Sequence, residues 1–429
     1  MTGKTHPAVL RRFGIGLVAF AFVASACTSS GDAETQGSDD VVDPEPAELS
    51  ITPDADSEEL PPNSPITVTA EGGAITDVQV DQAVSEETEE EDDSLYEMTG
   101  TLNEDETEWV SDWNLRPGAE VTVTATAENE AGETTELVHD FTTHEAVPGQ
   151  RLDLTSNFPS SGDTVGVGMP VVVNFDLPVT NKAQVENSMM VTSEQEIAGS
   201  WVWQTDQMAV FRPEEYWEPY QNVTVDLRLA GVEASEGVFG HRNYQVDFEI
   251  GRELIATMHV PDHEMIVEID GEHERTMDVS NGAANRDFDT TTSGIHVLME
   301  RYEELTMDSA TVGIEEGEPG YYNVDVQYAV RTSNSGEFIH EMSSNSAIGS
   351  GNTSNGCTNL RMDDAQWFFG NTLMGDIIDT TGTDRDFEWN NGWGFWQLSW
   401  EEWLEDSETG EPLVTDGSGT PGPVHGEDL

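Results

Sequence analysis

The sequence predicts a mostly-β chain: two β-sandwich units, a third β-rich domain with one or two helices, and a Trp-rich C-terminal segment. Three observations predict it. Short apolar–polar alternations recur along most of the 429 residues. Gly, Pro and Asp break them at short intervals, as turns between strands require. Only one stretch, starting near Asp363, carries a helix signal.

The elements follow in chain order. Lys4, Arg11 and Arg12 precede the apolar run Phe13 to Val23, which is too short to span a bilayer permanently. It ends in Ala24-Ser25-Ala26-Cys27. Small residues before a cysteine resemble a bacterial lipobox, in which Cys27 becomes the lipidated N-terminus. Residues 1–26 therefore read as a lipoprotein signal peptide. The protein is expected at the outer face of the cell membrane, within the wall, with the lipid as its sole membrane contact. Residues 27–48 are rich in Ser, Gly, Asp, Glu and Pro and read as a disordered acidic tether.

Residues 49–145 carry Ile66-Thr67-Val68-Thr69 and Val121-Thr122-Val123-Thr124, the period-two pattern of a β-sandwich. The run Glu86 to Asp93 reads as a solvated loop. Residues 146–251 form a second sandwich around Val171–Phe175, Val223–Leu227 and Tyr244–Phe248, with Trp201, Trp203 and Trp217 as aromatic mass. Neither unit holds a catalytic cluster, so both read as spacers. Residues 252–380 open with the strands Leu254–Met258 and Met265–Ile269. Asp363 or Asp364 is expected to cap a helix over Ala365–Phe369 that ends at Gly375, and Asp376–Asp379 to form a closing strand. Residues 381–408 hold Trp389, Trp393, Trp396, Trp400 and Trp403 and are expected to dock on this third domain. Residues 409–429 are expected to be disordered.

Charge excludes some functions. Asp and Glu total 85 against 16 Lys and Arg, a formal net charge of −69, and the only lysines are Lys4 and Lys182. Such a chain repels phosphate backbones, which excludes nucleic-acid partners. Its self-repulsion is relieved by salt, which shortens the screening length from about 10 Å at 0.1 M to about 3 Å at 1 M. The acids are spread through the β pattern, so the composition points to a folded protein exposed to strong brine.

Two cysteines are present, Cys27 and Cys357. Lipidation of Cys27 leaves Cys357 unpaired. Its surroundings, Ser354-Asn355-Gly356-Cys357-Thr358-Asn359, are polar and turn-like, which points to a reactive thiol rather than core filler. A nucleophilic thiol needs a base and donors for the developing oxyanion. His340, in the short strand Phe338-Ile339-His340-Glu341, is the nearest histidine. Spacing alone leaves it between a base and a core histidine. His259-Val260-Pro261-Asp262-His263 reads as a strand end and a turn, with no metal assigned, because Pro261 prevents the helix that would align the two rings.

Residues 252–380 resemble the L,D-transpeptidases of the YkuD type. The His340 strand followed by Ser354-Asn355-Gly356-Cys357-Thr358-Asn359 carries the resemblance. It extends to Met307-Asp308-Ser309, Gly320-Tyr321-Tyr322, Ala365–Phe368 and Gly375–Ile377. The lipobox, the two upstream sandwiches (then Ig-like domains) and the Trp-rich tail are similar to the layout of actinobacterial members.

The resemblance implies attack by Cys357 on a tetrapeptide stem of peptidoglycan, release of D-Ala, a thioacyl-enzyme, and its resolution by the diamino-acid amine of a neighbouring stem, giving a 3→3 cross-link. His340 would be the base and Gly356 backbone an oxyanion donor, with Asn355 as a further donor. Tyr322, Met307, Ser354 and Asn359 would contact substrate. Carbapenem β-lactams would be inhibitors, and no cofactor is implied. The chain departs from the family pattern twice. Asn355 stands where the family usually has His, and Glu341, a candidate modulator, where actinobacterial members often have Ser. A wall-binding lipoprotein with a decayed site and an L,D-carboxypeptidase are the competing functions.

Overall fold

The computed structural model describes residues 45–84, 93–318 and 320–425. The signal peptide, Cys27, most of the acidic tether, and the Glu86–Asp93 loop up to residue 92 lie outside the described residues.

In the first sandwich, strands Glu48–Thr52, Thr67–Glu71, Glu108–Ser111 and Gly100–Leu102 make one sheet. Gly73–Val84, Ala119–Asn129 and Thr134–Thr142 make the other. Alternate residues of Ala119–Asn129 are buried, so Val121, Val123 and Ala125 meet Ile66, Val68 and Trp109 in one core. The tether ends earlier than expected, because Ala47 is 2 % exposed and belongs to that core.

The second sandwich contains the three strands expected, within Val171–Phe175, Gln221–Leu227 and Tyr244–Ile250. It abuts the third domain closely. Gly166 N–H donates to the Met374 carbonyl at 2.8 Å and Gly168 N–H to that of Gly375 at 2.9 Å. A Cβ on Gly166 would lie 2.4 Å from the Asp376 nitrogen, so this approach requires glycine.

The third domain has two sheets. Glu272–Asp278, Glu264–Ile269, Leu254–His259, Ile377–Thr381 and Gly294–Val297 form the first in that spatial order. Arg301–Asp308, Asn323–Arg331, Phe338–Glu341 and Thr358–Leu360 form the second. The helix Met362–Asn371 packs Ala365 and Phe368 into the core between them. Its expected caps are corrected. Arg361 is the N-cap residue, Asp363 and Asp364 sit in the first turn, and Thr372 closes it. Asp364 instead pairs with Arg275 at 2.7 Å. Acids in the first turn still favour the positive end of the helix dipole.

The C-terminal segment corrects two expectations. It docks on the second sandwich as well as on the third domain. Trp403 Nε1–H donates to the Ser200 carbonyl at 3.0 Å and Trp396 Nε1–H to that of Gly168 at 2.9 Å. Arg212, 2 % exposed, lies over the Trp396 and Trp403 rings at 4.6 and 5.0 Å, a buried cation–π contact. Gln397 reaches the third domain at the Ile295 carbonyl, 2.6 Å.

Nor is the chain unstructured from 409. Glu186 accepts the N–H groups of Glu408 and Thr409, and Leu413–Val414 adds an edge strand beside Ala198–Thr205. Val424 is buried, and His425 bonds to Asn114 and Ser111 of the first sandwich. The polar composition that suggested disorder instead supplies hydrogen-bond partners for the two sandwiches, as where the Val424 carbonyl accepts from Asn114 and Gln184.

Candidate active site

The site is built from two adjacent parallel strands. Phe338–Glu341 pairs with Thr358–Leu360 in the register Ile339↔Thr358, His340↔Asn359 and Glu341↔Leu360. Opposed residues of neighbouring strands present their side chains to one face. His340 and Asn359 therefore meet, and the Asn359 Nδ2–H donates to His340 Nε2 at 3.1 Å. The other ring nitrogen, Nδ1, donates to the Glu341 carbonyl at 2.8 Å. Asn345 Nδ2–H donates to Asn359 Oδ1 at 3.0 Å and holds that amide in place. These bonds describe a neutral imidazole protonated at Nδ1. Burial lowers the His340 pKa, while the Glu341 carbonyl and carboxylate oppose that shift.

The Cys357 loop precedes the second of these strands. Ser354 Oγ–H donates to the Cys357 carbonyl and closes a tight turn. Gly356 has φ +106°, where a side chain would strain the backbone. Its carbonyl accepts from Thr291 Oγ1 at 2.6 Å.

Cys357 is 6 % exposed, a correction to the accessible thiol expected from its polar neighbours. Met307, Val326, Ala329 and Phe338 pack around it. Its thiol donates to the Gly336 carbonyl at 3.7 Å. Burial pushes its pKa up to about 12, with Glu337 adding to the rise and the Phe338 N–H opposing it. The resting pair is thus a thiol and a neutral imidazole.

Cys357 and His340 line one cavity of about 300 Å³ together with Met307, Tyr322, Asn345 and Asn355. Ser354 and Asn359 line it too. A second cavity, about 480 Å³, is lined by Phe288, Gly336, Glu337 and Arg385, and shares Tyr322 and Asn355 with the first. The structure therefore brings together every expected site residue of the third domain except the Glu341 side chain, whose carboxylate turns back to accept the Ser343 N–H at 2.6 Å. Met307 is both core and cavity wall, being 8 % exposed. Burial, then Cys357 and Asp308, push the Tyr322 pKa up to about 12, so its hydroxyl stays protonated.

His259 and His263 flank a short 3₁₀ turn and bond to different partners, Thr381 and Asn352. Gly336, Asn345 and Thr291 escaped sequence reasoning. Their roles lie in a carbonyl, a loop amide and a hydroxyl, which form no local pattern.

Residues 254–379 match the L,D-transpeptidase catalytic domain (YkuD), and residues 57–233 match a bacterial Ig domain. The chain is 31 % identical over 343 residues to L,D-transpeptidase 2 of Mycobacterium tuberculosis, covering 80 % of each chain. It is 33 % identical over 237 residues to L,D-transpeptidase 1 of that organism, covering 55 % of this chain and 86 % of the relative. A solved structure of the LD transpeptidase LdtMt1 in complex with imipenem is 32 % identical, with a TM-score of 0.47 over 53 % of this chain and 98 % of that one.

Proposed function

The chain belongs to the L,D-transpeptidase family, and from that premise we propose that it forms 3→3 cross-links in peptidoglycan through a thioacyl-enzyme on Cys357. The observation that carries the transfer reading is the pair of cavities meeting at Tyr322 and Asn355. A transferase must seat a donor and an acceptor on either side of one nucleophile, and two cavities sharing a wall beside Cys357 suit that need.

In the proposed reaction the donor peptide enters the cavity that holds Cys357 and His340. The Cys357 thiol turns from the Gly336 carbonyl and passes its proton to the imidazole. Sγ then bonds to the carbonyl carbon at the L-centre of the donor stem. Backbone N–H groups at Gly356 and Cys357 receive the developing oxyanion, with the exposed Asn355 amide beside them. The C–N bond breaks, and D-Ala leaves as an amine after taking the proton from His340. The acceptor amine attacks the thioester, Sγ departs as thiolate, and the proton released by the amine restores the thiol. Carbapenems would acylate the same sulfur.

Two further readings keep the same groove. With water in place of the amine, the enzyme is an L,D-carboxypeptidase. A peptide-holding lipoprotein is favoured by the resting bonds, because the thiol faces Gly336 and both nitrogens of His340 are occupied. Catalytic hydrogen bonds commonly tighten only when substrate binds, and the transfer reading has the thiol leave the Gly336 carbonyl at that step. Incubation with a tetrapeptide muropeptide and mass analysis of the products separates the three. Dimer supports transfer, trimmed monomer supports hydrolysis, and unchanged substrate supports the binding module.

A further inference from the structure

Behind the nucleophile lies a buried acid that the reaction above does not use. Glu337 is 5 % exposed and sits between Gly336, whose carbonyl takes the Cys357 thiol, and Phe338, whose N–H bonds to the same sulfur. Its carboxylate is held from three sides. Arg385 Nη1–H donates to Oε1 at 3.2 Å, and the Thr292 N–H and Oγ1–H donate to Oε2 at 3.2 and 2.9 Å. Arg385 also donates to the Thr290 carbonyl at 3.0 Å. The Glu337 Cγ borders Gly356, where a Cβ would meet it at 3.7 Å. Arg385 belongs to the C-terminal segment that straps the domains together. That segment therefore reaches the wall of the nucleophile.

We propose that Glu337 is a positioning residue for Cys357, clamped by Arg385, and that it both fixes the two backbone groups facing the sulfur and weights the resting state toward the thiol. The proposal rests on Cys357 as the nucleophile. The geometry gives the first effect. A buried carboxylate with three donors fixes the main chain on either side of it, and that main chain holds the Sγ. Proximity gives the second, since a nearby negative charge disfavours a thiolate. Burial raises the Glu337 pKa, and the Thr292 donors and the Arg385 cation 3.2 Å away oppose that rise.

Other groups face the sulfur or its neighbours and define the background. His340 and Glu341 lie on the strand, Tyr322 and Asp308 on the facing hairpin, and Arg385 on the C-terminal segment. His296 lies one hydroxyl further, its Nε2 2.8 Å from Thr292 Oγ1. Burial holds it down to about 4, so it is neutral throughout the relevant range.

The test is the pH dependence of Cys357 alkylation by iodoacetamide in the full folded chain, which reads the thiolate directly and requires no cross-linking activity. Glu337→Gln keeps an acceptor for Thr292 and leaves the Arg385 charge unpaired. Its alkylation midpoint should fall by about one pH unit, a roughly tenfold faster rate below the midpoint. The double variant E337Q/R385Q removes both charges, and its midpoint should lie between E337Q and the parent. A general loosening that merely exposed the thiol would place the double at or below the single. That order, or an E337Q midpoint equal to the parent, overturns the proposal. If E337Q does not fold, the double, which leaves no charge unpaired, must still titrate below the parent. Muropeptide turnover in the parent is scored separately: its absence with these alkylation shifts intact would refute the transpeptidase reading and leave Glu337's role standing.

Discussion

Asn359 donates its side-chain N–H to His340 Nε2 at 3.1 Å, across a pair of parallel strands that sets the two residues opposite each other. With Nδ1 committed to the Glu341 carbonyl, this bond fixes both the ring plane and the tautomer of the proposed base. It also stabilises the neutral ring, because a donor aimed at the lone pair opposes protonation there.

Asn359→Ala should therefore act on both orientation and proton affinity. Loss of orientation should remove part of the roughly 10²–10⁴-fold that a positioned general base contributes. Loss of the donor should raise the His340 pKa, moving the acid limb of kcat/KM to higher pH. An acid limb unchanged in this variant would remove Asn359 from the account.

Glu341 predicts a shift of opposite sign. Its carbonyl is main chain and survives substitution, but its carboxylate favours the imidazolium. Glu341→Ser should lower the His340 pKa and move the acid limb to lower pH. Added salt should shrink the difference, since the carboxylate is partly solvated. Superimposed profiles at low salt would make Glu341 one more surface acid.

These two residues show what was legible in the sequence. The strand at Tyr244–Phe248 followed from period-two patterning, because a half-buried strand must alternate, while Val171–Phe175 and Phe338–Glu341 followed from short apolar runs and are buried at three or more consecutive positions. Cys357 and His340 followed from a motif that survives at the level of residue identity. Asn359 was visible as a motif position, but its role against His340 depends on strand register, which only pairing in three dimensions sets. Burial of Cys357 was missed because a polar loop reports its backbone conformation, while the cover comes from Met307 and Phe338 on other strands. Aromatic density announced that the Trp-rich tail packs. It could not announce that its main partner is Arg212 on the second sandwich.

The charge excess carries a stability prediction. With a formal charge of −69, the melting midpoint should rise as KCl increases from about 0.1 M to about 1 M, where screening shortens from about 10 Å to about 3 Å. A flat or falling midpoint would contradict adaptation to brine.

Anchoring is tested at the N-terminal cysteine. Lipidation of Cys27 is proposed to hold the protein at the outer membrane face, with the sandwiches as spacer. Cys27→Ser should release it to the medium on cell fractionation, and retention of that variant in the membrane fraction would refute a lipid anchor.

The central claim is that the Cys357 sulfur carries the acyl group. Intact-mass measurement after exposure to a carbapenem tests it most directly. One adduct is predicted on the parent, mapping to the peptide that contains Cys357, and none on Cys357→Ala. An adduct that persists in Cys357→Ala, or a parent that stays unmodified, would contradict the account.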